Sequence, residues 1–161
     1  MKSTVLAAAI VAVSITVAVS NAHAHDGATG IVKERMELME DLGKSMKSFS
    51  RIIKGRDKYD AVKLLGIARQ LKLHGGGSLT QLFSSGSLMK PSNAILEIWQ
   101  DWDQFSELAE TLRREANQLE KDLLSKSNGS IQENSIATKQ SFKKIARTCS
   151  SCHRDFRKKK K

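Results

Sequence analysis

The sequence predicts an all-α fold, an antiparallel left-handed four-helix bundle. Two observations carry this. Apolar residues recur in steps of three and four along four successive segments, the spacing of a single buried helix stripe. Gly55, Gly75-Gly76-Gly77 and Asn128-Gly129 separate those segments, and the 161 residues include a single proline. Amphipathic helices with seams at this spacing pack side by side at small crossing angles.

Residues 1–24 stand apart from the bundle. Lys2 supplies a positive start, Val5 to Val19 is an apolar run broken only by Ser and Thr, and Ala22-His23-Ala24 has the form of a cleavage site. The run is shorter than the roughly 20 residues that span a bilayer, and nothing downstream is as apolar. The expectation is a cleaved signal peptide over 1–24, export to the periplasm, no transmembrane segment, and one domain over 25–161.

The first helix is expected from about Ile31 to Lys54, with Val32, Arg35, Met39, Leu42, Met46, Phe49 and Ile53 on one seam and Gly55 closing it. A second, shorter helix runs from about Tyr59 to His74. Val62, Leu65, Ala68 and Leu71 or Leu73 face inward, and the three glycines end it. The connection from Gly75 to Pro91 is long for a bundle. Its Leu79, Leu82, Phe83, Leu88 and Met89 favour packing as a lid.

Ser92 or Asn93 can cap the third helix. Ile95, Ile98, Trp102, Phe105, Ala109, Leu112, Ala116, Leu119 and Leu123 then form an unbroken heptad seam. Ser130-Ile131-Gln132-Glu133 reads as a capping box opening the last helix. Phe142, Ile145, Cys149, Cys152 and Phe156 lie along one stripe of it, which faces the core.

That last stripe carries chemistry. Cys149-Ser150-Ser151-Cys152-His153 is the attachment pattern of a c-type haem. Residues three apart share one helix face, so both sulfurs reach the vinyl groups along one porphyrin edge. The following imidazole then lies beneath the iron as proximal ligand. A dithiol redox pair belongs near a βαβ pattern, and none is visible. Half a zinc site requires a second Cys or His pair at usable spacing, and none follows. The chain's two cysteines are both used, so one covalently bound haem and no disulfide are expected.

The sixth iron position has several candidates: Met36, Met39, Met46, Met89, His74 and His25. Arg35 draws attention to the first helix, because a cation on a core stripe is costly unless paired. The two propionates of a haem offer that pairing, with the guanidinium as a fork. Met39 lies one turn further on the same face, although a thioether on a seam is equally a core filler. His74 reads as an exposed C-terminal cap. His25 would be the mature N-terminus, where an amine and an imidazole can chelate copper.

The formal charge of +10 is concentrated at the C-terminus, in Lys143, Lys144, Arg147, Arg154, Arg157 and Lys158 to Lys161. It serves either as a solvated helix end or as a basic collar steering an acidic redox partner. Nucleic acid, the other partner such charge suggests, does not suit an exported chain.

At these residues the chain resembles the class II c-type cytochromes, the cytochrome c′ family, and specifically its low-spin, Met-ligated members. The matching elements are Arg35-Met36-Glu37-Leu38-Met39, Ile98-Trp99-Gln100-Asp101-Trp102-Asp103-Gln104-Phe105 and the C-terminal run from Cys149 to Arg157. The resemblance implies that the residue four after the first-helix Arg faces the iron, which here is Met39. It also places Arg157 near the proximal face. Phe156 stands where a Tyr is frequent in the family, and the Gly-rich 75–86 segment is longer than usual.

The implied function is an exported one-electron carrier with His153 and Met39 as iron ligands. The alternative is a haem protein that binds nitric oxide or carbon monoxide. No polar acid–base group on the first-helix seam supports a peroxidase, and the chain is not expected to be an enzyme. Family members often dimerise through their first two helices, so a homodimer is a further expectation.

Overall fold

The computed structural model of the chain describes residues 27–125 and 131–159, of which 131–134 are described by their backbone. The expected leader, His25, the Asn128-Gly129 break and the capping-box side chains lie outside the described residues. Six helices are described: α1 (Gly30–Ile53), α2 (Ala61–His74), α3 (Gly77–Thr80), α4 (Glu97–Gln100), α5 (Trp102–Ser125) and α6 (Ile131–Phe156). The four long ones form the bundle in the ring order α1, α2, α5, α6, with α6 returning to α1. The extended backbone of the described residues pairs at one isolated antiparallel bridge, Ala94 with Arg157. No described helix is long and apolar enough to cross a membrane.

α1 buries Val32, Arg35, Leu42 and Phe49 as expected, and Ile52 rather than Ile53 completes its stripe. Gly55, at φ +68°, donates its N–H to the Ile52 carbonyl at 3.0 Å and ends the helix. Phe49 meets Phe142 of α6 edge to face at 5.0 Å, joining the first and last helices deep in the core.

α2 corrects the sequence reading. It begins at Ala61, with the Asp60 carboxylate accepting from Lys63 N–H at 2.9 Å. Leu64, Ile67, Ala68 and Leu71 face inward, whereas Val62 is 81% and Leu73 60% exposed. Two apolar stripes at helical spacing coexist in this segment, and a polar contact accompanies the one that is buried. Glu120, buried on α5, receives Arg69 Nε–H at 2.9 Å and the Lys72 ammonium, both from α2. The rotation that buries Leu64 and Leu71 also brings Arg69 and Lys72 against Glu120, so core packing and the triad agree.

The hydrogen bonds from Lys72 and then Arg69 hold the Glu120 carboxyl below the ordinary glutamate range. A lowered folded-state pKa stabilises the fold above the unfolded value of about 4.3, and that stabilisation is lost as pH falls through the folded value. Glu120→Gln is expected to lower the thermal midpoint at pH 7, with the gap from wild type narrowing below about pH 4. An equal gap at pH 7 and pH 3 would rule the triad out as the cause.

The third segment is also corrected. Neither Ser92 nor Asn93 starts a helix: the Ser92 hydroxyl accepts from Ala94 N–H at 3.1 Å, and the next helix, α4, begins only at Glu97, after a turn through Leu96. The seam then breaks at Asp101, whose backbone at φ −127°, ψ 58° leaves the helical region. Its carboxylate accepts from Gln104 N–H at 3.3 Å and so opens α5. This local cap outweighs the continuous apolar spacing, and it leaves Trp102 39% exposed instead of buried on the seam.

Candidate haem-binding site

The fold brings the end of α6, the N-terminal half of α1 and the 82–94 segment around one cavity of about 400 Å³. α6 contributes Cys152, His153 and Phe156, followed by Arg157. α1 contributes Arg35, Met36, Met39 and Glu40. Phe83, Ser92, Asn93 and Ala94 close a third side, and Ile98 and Phe105 supply further apolar wall.

Three rings order that wall. Phe105 meets Phe83 at 4.8 Å and Phe156 at 5.4 Å, both edge to face. Phe156 is 4% exposed and belongs to the apolar core, so a phenol hydroxyl there would need a partner of its own. Cys149 and Cys152 are half-buried and pack against the core cluster on the expected stripe. Desolvation pushes both thiols up, Cys152 to about 11, so the unattached side chains are neutral thiols. His153 stands at the cavity mouth, open to solvent on one side. Protein on the other side, with the charge of Arg157 second, holds its pKa below the usual histidine range. The neutral imidazole, the form with a free lone pair, is thereby favoured.

Arg35 is 3% exposed, its guanidinium lies 4.2 Å from the Phe83 ring centroid, and no carboxylate among the described residues is paired with it. Desolvation alone lowers its pKa. Its hydrogen bonds run to the 82–92 segment. An apolar slot, a Cys pair with an adjoining imidazole, and a buried cation lacking a counter-charge together match a flat apolar macrocycle bearing carboxylates. The residues present fit a haem.

The sixth-position candidates separate clearly. Met36 and Met39 line the cavity, and Met46 packs against the core away from it. Met89 is 56% exposed. His74 bonds Gln70 at 3.2 Å on the surface of α2, beside a different groove. Sequence reasoning missed Glu40, an exposed carboxylate on the cavity rim paired with Lys44 at 2.8 Å. It also missed the full part played by Ser92, Asn93 and Ala94. Of the lid residues, Leu79 and Phe83 are buried as their apolar character suggested, while Leu88 is 41% exposed.

The family model described as Cytochrome C′ matches residues 30–157. Among solved structures the chain is similar to cytochrome c′ from Rhodopseudomonas palustris, with a TM-score of 0.71 and 24% identity over 83% of this chain and 100% of that one. It is similar to a nitric oxide complex of a mutant cytochrome c prime from Alcaligenes xylosoxidans, with a TM-score of 0.65 and 21% identity over 80% of this chain and 94% of that one. A cytochrome c′ with ligand-controlled dimer dissociation matches at a TM-score of 0.68 and 18% identity, over 80% of this chain and 95% of that one. No curated protein matches the chain in sequence.

Proposed function

This chain belongs to the cytochrome c′ family and holds one covalent haem c on Cys149 and Cys152, and we propose that it binds a small diatomic gas such as nitric oxide or carbon monoxide. One observation carries the reading: of the sixth-position candidates among the described residues, only the thioethers of Met36 and Met39 share the cavity with His153. A thioether is a weak neutral ligand, so the sixth position is either open or held by a group that a stronger ligand displaces. The similar structures include a nitric oxide complex, which supports the same choice.

The haem supplies an iron that changes by one electron and accepts a sixth ligand. The chain's residues do the rest. His153 is the proximal ligand, and Phe83, Phe105 and Phe156 exclude water from the slot. Arg35 places positive charge on the cavity wall, where it attracts a haem propionate, and Arg157 flanks the proximal side. The setting is the periplasm after removal of residues 1–24, and the role is that of a binder or carrier rather than an enzyme. The basic C-terminal turn suits an acidic redox partner, and a homodimer accords with the dimeric structure that resembles this chain.

A second reading is favoured by the position of Met39 in the cavity wall one turn from Arg35. There Met39 stays on the iron in both oxidation states, and the protein is a low-spin electron carrier.

Optical spectra of the holoprotein with and without carbon monoxide separate the two, with Met39→Leu as the variant. Leucine keeps the volume and removes the sulfur. Gas binding predicts that the ferrous wild type shifts on mixing with carbon monoxide, and that Met39→Leu binds it as fast or faster. A wild type that stays low-spin and unresponsive, beside a Met39→Leu protein that turns high-spin, would establish the electron carrier instead.

A further inference from the structure

We propose that Arg35 is a positioning residue: a latch that fixes the segment 82–94, here called the strap, as one wall of the haem cavity. A guanidinium has five N–H donors. All of them find acceptors on the strap. The Leu82 carbonyl accepts from Nε–H at 3.0 Å and from Nη2–H at 2.6 Å. The Ser87 hydroxyl accepts from Nη2–H at 2.7 Å. Nη1 donates to the Ser92 hydroxyl at 3.2 Å and to the Ser87 carbonyl at 3.4 Å.

Burying a cation is costly, and here the cost is offset by complete hydrogen bonding and by the Phe83 ring face rather than by an opposite charge. Every acceptor belongs to one segment, so satisfying Arg35 also holds that segment in place. Two other fastenings define its span. Trp99 Nε1–H donates to the Phe83 carbonyl at 2.9 Å, and Lys158 N–H donates to the Asn93 carbonyl at 2.9 Å beside the Ala94–Arg157 bridge.

The strap is therefore tied to α1 along its length, from Leu82 through Ser87 to Ser92, and at its far end also to the chain just past His153. The helix bearing Met39 and the helix bearing His153 share a cover whose position Arg35 sets. This goes beyond the function proposed above, because the cavity needs that wall whether its sixth position is open or filled.

Hydrogen exchange of the holoprotein, read by mass spectrometry segment by segment, tests it. Ser87→Ala removes one acceptor and also the hydroxyl that donates to the Ser84 carbonyl at 2.6 Å. Arg35→Lys keeps the charge and loses the fork. In each, strap amides between residues 83 and 93 are expected to exchange at least about tenfold faster, while α5 and α6 keep their wild-type protection. In the double variant, Ser87→Ala adds less than about threefold to Arg35→Lys, because both break one latch. Unchanged strap exchange, or exchange that rises equally through the whole bundle, overturns the proposal. Should Arg35→Lys not fold, Ser87→Ala decides alone. Spectra of the same samples report the iron ligands separately, so an error in the gas-binding reading does not touch this result.

Discussion

Phe105→Ala is expected to cost about 3–5 kcal/mol of unfolding free energy, the range for truncating a buried aromatic ring. Phe105 is 1% exposed and touches three other rings, those of Phe83, Phe156 and Trp102. Its removal leaves a void that α5, held by α2 on one side and α6 on the other, cannot close. Against a typical total stability of about 5–15 kcal/mol, this is a large fraction. The ring also forms cavity wall, so the absorption of the bound haem should shift in the same variant, which links the packing to the site. Trp102→Ala is the control. Its ring meets Phe105 at 5.5 Å but is 39% exposed, and its loss should cost clearly less. Denaturant unfolding of both holoproteins decides the matter; a Phe105→Ala loss below about 1 kcal/mol would contradict the core assigned to it.

Much of the site was legible in the sequence because it depends on spacing. The Cys149 to His153 motif is read from its spacing, Arg35 and Met39 share one helical seam, and Met36 is one of several open candidates; the structure places Cys152, His153, Arg35, Met36 and Met39 around one cavity. The acceptors of Arg35 were not legible. They are backbone carbonyls and serine hydroxyls on an irregular segment, and such groups carry no pattern that distinguishes them from any loop. The rotation of α2 was hidden for a different reason. Leu64 and Leu71 compete with Val62 and Leu73 for the core, and the outcome depends on packing against α5, some fifty residues away in the chain, where Glu120 receives Arg69 and Lys72. At Asp101 the apolar register continued straight through a residue whose side chain caps a new helix, so periodicity alone could not show the break.

The glycines after α2 call for the same distinction between pattern and contact, and they give the second large effect. Three consecutive glycines resemble a flexible spacer. Gly75, however, has ordinary extended backbone at φ −87°, ψ 175°, so its conformation does not require glycine. Its surroundings do. A β-carbon there would lie 2.8 Å from the backbone nitrogen of Arg113 and 3.0 Å from its Cα, inside the contact distance of atoms that belong to α5 and cannot swing aside. The neighbouring Gly76 N–H donates to the Ala109 carbonyl at 2.7 Å, which pins the turn against the same helix. Gly75→Ala should therefore destabilise by about 3 kcal/mol, the upper end of the usual overpacking range, by prising the turn away from α5. Gly66 provides the opposite case. It is exposed in the middle of α2, and a methyl group added there would meet nothing within 4 Å. Gly66→Ala should stabilise by about 0.5–1 kcal/mol. Opposite signs for the same substitution nine residues apart would show that the turn at Gly75 is a close-packed joint between α2 and α5. Two effects of the same sign would show a spacer.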